Sequence, residues 1–375
     1  MPPNSVRCQP ASNDSGHAIS ADDSLDQLIE ATPYIDYEVS SGELFAGAFK
    51  IVSTVFPSWD EHDIKFVQCK DGITNQLVRV THRPTDFSVL VRAFGRKSEI
   101  LIDRKQEIIN LVTLSARGLC PPLYARFRNG LMYGFINGRV STVEELGQPK
   151  TAAWIANKAA KWHKVLLPQD QTTSGKPAAP KQTLWSTMRR WLADVPTQYD
   201  DPEQQKKFNA RFDVQKLSEE FENLAKVLET LDSPVVFSHN DLLYGNVIYD
   251  DEKEEASFID YEYGGYAFRG FDIGNHFNEF AGFECDYSRY PDKPFQMQWF
   301  EWYLTEFNGV APTHEELEHL YKEVEGFSLA SHYYWGLWAL IQAKISTIEF
   351  DYMSYAALRF DEYERRKRTV FPSSL

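Results

Sequence analysis

Only four cysteines occur in 375 residues, Cys8, Cys69, Cys120 and Cys285, and no two form a CxxC pair. Their spacing excludes a zinc scaffold or a disulfide framework and points to a reducing compartment. No run of about 18 apolar residues is present, and MPPNSVRCQPASNDSG lacks both the charged start and the apolar stretch of a secretion signal. A soluble, cytoplasmic protein is the expectation. Basic residues are in deficit, with 39 Lys and Arg against 54 Asp and Glu and a net charge of −15. So acidic a chain has no basic stripe to release counterions from a phosphate backbone, which argues against nucleic acid, whereas a cationic small molecule suits its field. No fixed-period repeat marks a solenoid. What is abundant is apolar and aromatic: 43% hydrophobic residues, with 9 Trp and 19 Tyr, enough to bury a sizeable core in two domains or lobes.

Residues 1–40 read as a tail, rich in Ser, Pro, Asn and Asp over its first part. The packed fold is expected from there. LFAGAFKIVSTVF has helical spacing, and IKFVQC (64–69), NQLVRVTH (75–82) and FSVLVRAFG (87–95) read as three antiparallel strands separated by Asp71-Gly72 and Pro84. A helix over 102–118 stops at Gly118 before Pro121-Pro122, and Asn129-Gly130 joins a hairpin. These elements make a small first lobe over 41–137. The remainder, 138–375, reads as a larger, mostly helical lobe, interrupted by a polar surface loop at 168–183. The fold class is α/β, in an α+β two-lobed arrangement.

The most informative segment is PVVFSHNDLLYGNVIYDDEKEEASFIDYEYGGY. Asn246 follows Asp241 by five residues, and Asp260 stands nineteen after Asp241 at the end of an apolar strand. Phosphoryl transfer needs one carboxylate to take or orient the proton of the attacking hydroxyl, and a carboxylate plus an amide oxygen to hold Mg²⁺ on the phosphates. Asp241, Asp260 and Asn246 supply that set in the order of a kinase catalytic loop and its metal-binding aspartate. An Asx-rich turn between strands is the blander alternative. A protein kinase is disfavoured, since no GxGxxG opens the sheet, no D-F-G contains the second aspartate and no A-P-E follows. Where a phosphate-binding lysine belongs, VLVRAFG offers Arg92, with Glu107 on the next helix as its partner. Asp272, His276 and Glu279 share one helix face; Asp272 reads as a buried anchor and His276 as a satisfied core histidine. Trp335 and Trp338 make an aromatic stripe that is core by default but whose ring faces attract organic cations.

The runs DGITNQLVRV, VLVRAFG, LSARGLCPPLY, HNDLLYGN, FIDYEYGGYAFRGFDIGNHFNEFAG and WGLWALIQAKISTIEFDYMSYAALRFDEY closely resemble the choline/ethanolamine kinases over about residues 40–365. The resemblance implies a protein-kinase-like, aminoglycoside-phosphotransferase-type fold. It makes Asp241 the catalytic base, Asn246 and Asp260 the Mg²⁺ ligands, and brings Arg92, Phe94, Gly95, Ser98, Glu107, Arg117 and Asp260 to ATP. Gly134 to Arg139 would be the hinge beside adenine. Glu279, Trp335, Trp338 and Tyr355 would wall the amino-alcohol site, with Tyr287 a weaker candidate. Family members are often dimers, so a homodimer is a further expectation. Glu279 is followed by Phe280-Ala281-Gly282 where choline kinases tend to have a tryptophan, and Leu242-Leu243 replaces polar residues, both of which resemble the ethanolamine branch. The implied reaction is transfer of the γ-phosphoryl of Mg·ATP to ethanolamine. A choline or dual kinase, a phosphotransferase for another amine, and a non-catalytic pseudokinase are the alternatives.

Overall fold

Alternation along β4 (Phe87–Phe94) explains how one strand serves both the core and the site. Val89, Val91 and Ala93 are buried against Ala48, Ile51 and Val52 of helix α1 (Leu44–Val55), while Arg92, one residue out of phase, points to the opposite face of the sheet. The computed structural model describes residues 27, 29–69, 75–95, 100–167, 180–346 and 348–372. In it β4 pairs antiparallel with β3 (Asn75–His82), which pairs with β2 (Ile64–Cys69). On its other side β4 pairs with β6 (Gly130–Gly134), which forms the expected hairpin with β5 (Leu123–Phe127).

The six-stranded sheet is completed at its β5 edge by β1 (Tyr34–Ile35), which runs parallel to β5. The packed fold therefore starts earlier than residue 41. The reason is local: Asn129, read as a turn residue, clasps the chain through Val39, accepting its N–H and donating to its carbonyl, both at 2.9 Å. Residues 1–26 and 168–179, most of the expected tail and loop, lie outside the described residues, as does Ser98.

Helix α2 (Arg104–Ser115), capped by Asp103, covers the sheet face that carries Arg92. The link 135–138 then enters a second sheet, β7 (Arg139–Val140) against β9 (Val247–Asp250) and β10 (Glu255–Phe258), and a third pairs β8 (Val235–Ser238) with β11 (Gly265–Phe268). Around these sheets lie α3 (Val143–Leu146), α4 (Pro149–His163), α5 (Leu184–Asp194), α6 (Pro202–Arg211), α7 (Val214–Glu229), α8 (Arg269–Asn278), α9 (Lys293–Asn308), α10 (His314–Ile345) and α11 (Tyr352–Val370). Among the described residues no helix is long and apolar enough to cross a membrane.

The 32-residue α10 begins at a Thr313–Glu316 capping box and buries nearly every residue from Val324 to Gln342. It runs against α8 at close range because Gly274 has no side chain. A Cβ there would sit 2.9 Å from both the Ser328 nitrogen and the Val324 carbonyl oxygen, backbone atoms that cannot turn aside. Gly274→Ala is expected to cost about 1–3 kcal/mol, or roughly 1–4 °C in Tm for a chain of this size. A thermal melt checks this; an unchanged Tm would mean that α8 is free to move off α10.

Candidate active site

The loop after β8 is built around one buried carboxylate. Asp272 of α8 accepts the backbone N–H of His239 at 2.9 Å, that of Asn240 at 2.7 Å, and His163 Nε2 at 2.9 Å. These partners hold its carboxyl below the usual aspartate range in spite of burial, so the anchor stays ionised. Asn240 adopts a left-handed φ of 66°, and its side chain donates to the Tyr263 carbonyl at 2.9 Å. His239 spans the loop, Nε2 donating to the Ile259 carbonyl at 2.9 Å and Nδ1 accepting the Asp241 N–H at 3.3 Å. Burial pushes its pKa down, so it is a neutral strut. His276 is the satisfied core histidine of the sequence reading on one side only, with Nδ1 donating to the Leu242 carbonyl at 2.9 Å and Nε2 without a partner among the described residues.

Asp241, thus positioned, is 8% exposed and meets Asn246, whose Nδ2 donates to the Asp241 carbonyl at 2.8 Å and to its Oδ2 at 3.1 Å. The amide nitrogen is committed, leaving the amide oxygen for a cation. The Ile259 N–H donates to the Asn246 carbonyl at 3.0 Å, which brings the neighbouring Asp260 to the same place. Asp260 sits at a left-handed φ of 65° with its side chain 36% exposed. Its carboxyl is pushed up to about 7 by loss of hydration and by Glu262 and Glu107, against the pull of Arg92. The Asp241 carboxyl is likewise raised well above the usual value, by burial first and then by Asp260, Glu279 and Glu262.

Crowded carboxylates of this kind are short of positive charge. Asp260 Oδ1 lies 3.2 Å from Arg92 Nη1 and yet accepts no hydrogen bond from the described residues. The Asp260 carboxylate and the Asn246 amide oxygen suit Mg²⁺, which is commonly held by one or two protein carboxylates together with phosphate oxygens and water. Among the described residues no three His, Cys, Asp or Glu side chains form a ready-made cage.

The Arg92–Glu107 pair is present, at 2.8 Å, but the arrangement is larger than the sequence implied. Arg92 is 5% exposed and also contacts Glu262 and Asp260, and Arg104 reaches Glu107 at 2.7 Å and Glu262 at 3.1 Å while lying over the Phe94 ring at 4.0 Å. Arg92 is thus engaged by three carboxylates and is no exposed phosphate clamp in this state; Arg104, one helix turn before Glu107, and Glu262, two residues past Asp260, were missed. Asn110, completely buried, secures the Asp260 segment by donating to the Tyr261 and Gly264 carbonyls at 3.3 and 2.7 Å. Gly95 directly follows β4. Arg117 does not join the cluster around Arg92: two residues past the end of α2, it donates to the Thr113 and Leu166 carbonyls at 3.1 and 2.6 Å. Residues 135–138 run between β6 and β7, with Arg79 stacked 3.8 Å over Phe135.

The residues expected at the amino-alcohol site converge. Trp335, Trp338 and Tyr355 are each only 6–7% exposed, and Tyr263, also missed, stands edge-on to Trp335 at 5.3 Å and accepts from Trp338 Nε1 at 2.9 Å. Trp335 meets Trp338 edge-on at 5.4 Å. Glu279, at the end of α8, is not a solitary anion: its Oε1 accepts from Arg359 Nη1 at 2.9 Å. Tyr287 stands edge-on to His332 at 5.2 Å.

The sequence profile of the choline/ethanolamine kinase family matches residues 66–364. Mouse ethanolamine kinase 2 is 40% identical over 345 residues, covering 91% of this chain and 86% of that protein. Human ethanolamine kinase 1 is 41% identical over 332 residues, covering 86% and 72%. Among solved structures, an ethanolamine kinase of Plasmodium vivax superposes with a TM-score of 0.76 at 24% identity, over 94% of this chain and 95% of that one, a likeness of fold.

Proposed function

The chain belongs to the choline/ethanolamine kinase family, and from that premise we propose that it transfers the γ-phosphoryl group of Mg·ATP to the hydroxyl of ethanolamine, giving phosphoethanolamine and ADP. One observation carries the reading: the site joins a buried Asp241–Asn246 pair and a neighbouring, under-bonded Asp260 to an aromatic wall that ends in a carboxylate. The first half suits phosphoryl transfer and the second a small ammonium.

Asp241 accepts the proton of the substrate hydroxyl as oxygen attacks phosphorus. Its raised pKa, a consequence of burial and neighbouring carboxylates, makes it a better proton acceptor than a surface aspartate. Asn246 and Asp260 would hold Mg²⁺, which would supply positive charge against the transferring group and the departing ADP. Arg92 and Arg104, tied to Glu107 and Glu262, fix the spacing between the nucleotide lobe and the Asp260 segment and add positive charge beside it. Trp335, Trp338, Tyr263 and Tyr355 turn rings toward the amine end, and Glu279 accepts its N–H hydrogens. Positioning and electrostatics do most of the work.

Ethanolamine brings three N–H donors and choline none, so an acceptor-bearing pocket favours the former. Initial rates of ADP release with ethanolamine, its N-methylated derivatives and choline are expected to give kcat/KM values that fall with each added methyl. Equal or better turnover of choline would assign the dual or choline reading. ATP-dependent turnover of any of these amines excludes a pseudokinase.

A further inference from the structure

Arg359 is 1% exposed, one turn along α11 from Tyr355, and its guanidinium holds two residues of the amine site at once. Nη1 donates to Glu279 Oε1 at 2.9 Å and lies 3.3 Å from the Tyr355 hydroxyl. Nη2 donates to Ser331 Oγ at 3.1 Å and lies 3.4 Å from the Ser331 carbonyl. The network continues toward the reacting end. Ser331 Oγ donates to Asn275 Oδ1 at 2.8 Å, the same oxygen accepts from Trp335 Nε1 at 2.7 Å, and Asn275 Nδ2 reaches the carbonyl of Asn240, next to Asp241, at 3.3 Å. Asn275 and Ser331 are fully buried.

A carboxylate with a permanent buried counter-ion attracts a cation weakly as a bare charge. It serves instead as a fixed acceptor, because the guanidinium occupies Oε1, sets the plane of the carboxylate and leaves Oε2 for another donor. Such a group rewards an ammonium that carries N–H and gives little to a quaternary one, whose binding rests on ring faces. We propose that Arg359 is a positioning residue that determines amine specificity, holding Glu279 and Tyr355 in register with the Asp241 loop so that ethanolamine is preferred to fully methylated amines. The inference rests on the ethanolamine-kinase reading of the site and adds to it the residue that sets selectivity.

The test is Arg359→Gln, with Arg359→Lys as the conservative partner in case loss of a buried cation prevents folding. In folded Arg359→Gln, KM for ethanolamine should rise about tenfold or more, as for the loss of one hydrogen bond to a charged group. KM for Mg·ATP should stay within about twofold, and KM for choline, or its Ki as a competitor if turnover is too slow, should change by less than about threefold. Arg359→Lys, which keeps the charge and loses the fork, should fall between the variant and the parent. An unchanged KM for ethanolamine in both variants, or equal increases for ethanolamine, choline and ATP, overturns the proposal and leaves Arg359 a packing residue. Failure of the parent protein to phosphorylate ethanolamine overturns the functional reading itself, a result visible before any variant is made.

Discussion

Asp241→Asn is expected to lower kcat by about a thousandfold, the range for loss of a positioned general base, without lowering the melting temperature measured in EDTA at pH 8. The first half follows from chemistry: an amide cannot take the hydroxyl proton, although it can still meet Asn246. The second follows from where the carboxylate sits. Burial, with Asp260, Glu279 and Glu262 nearby, raises the Asp241 carboxyl well above its ordinary value, so the metal-free folded state holds its proton more tightly than the unfolded chain does. Stability contributed by such a group is full below the ordinary aspartate value of about 3.9 and is lost as pH rises toward the folded pKa. The amide removes that loss, so the difference in Tm between variant and parent should be near zero at low pH and grow in favour of the variant above about pH 4. Asp260 has the same sign over a window that ends near its raised value of about 7. Added Mg²⁺ should reverse the order, because a ligand that binds only the folded state stabilises the parent more than a variant with a weakened site. Thermal melts with and without Mg²⁺, alongside ADP release, check both halves. Retained turnover would remove Asp241 from its role, and a lower Tm in EDTA at pH 8 would contradict the electrostatic account.

Asp272→Ala should be the more damaging change to the molecule as a whole. Truncation leaves the N–H groups of His239 and Asn240 without their acceptor and frees His163, which is bonded through Nδ1 to the Tyr303 hydroxyl at 2.7 Å. Stranded buried donors and a broken buried charge network cost about 3–5 kcal/mol, roughly 4–6 °C in Tm for 375 residues. Catalysis falls with it. Asn240 holds its left-handed conformation between Asp272, Tyr263 and Asn275, and loss of the first lets the loop relax and displaces Asp241, a shift that can cost about a hundredfold in kcat. The pH dependence has the opposite sign to that of Asp241. The partners of Asp272 depress its carboxyl, so its contribution is present above the ordinary aspartate value and is lost as pH falls through the lower folded value. Asp272→Asn should therefore show a shallower loss of Tm on acidification than the parent. Melts across pH 3–8 with single-turnover rates on the same samples provide the check; a Tm within about 1 °C of the parent for Asp272→Ala would show that the loop has another anchor.

Local signals in the chain were sufficient for much of this. The alternation in 64–69, 75–82 and 87–95, the Asn129-Gly130 hairpin and the capped helix after Asp103 specify the first lobe through short-range backbone preferences and burial of one face. The spacing of Asp241, Asn246 and Asp260 also survives folding unchanged, because all three lie within two strand connections and one backbone hydrogen bond, Ile259 to Asn246, closes the gap. Residues whose roles depend on partners far away in the chain were out of reach. Glu262 acquires its meaning from Arg92, 170 positions away, and Glu279 from Arg359, 80 positions away. Charged residues such as Arg104 and Arg359 look like solvated helix residues until a neighbouring element buries them.

The sequence by itself determined the order of the elements and the spacing of Asp241, Asn246 and Asp260, encoded in contiguous patterns of periodicity and spacing, whereas Trp335, Trp338 and Tyr355 stood out from an ordinary core stripe only through the family resemblance. Only the tertiary structure decided which charges neutralise which, that Arg117 lies past the end of α2 and away from the cluster around Arg92, and that Glu279, the carboxylate proposed to meet the ammonium, has a buried counter-ion in Arg359. The physical reason is that Coulomb and hydrogen-bond energies depend on separations and burial in space, and these are set by the packing of α2, α8, α10 and α11 around the sheets.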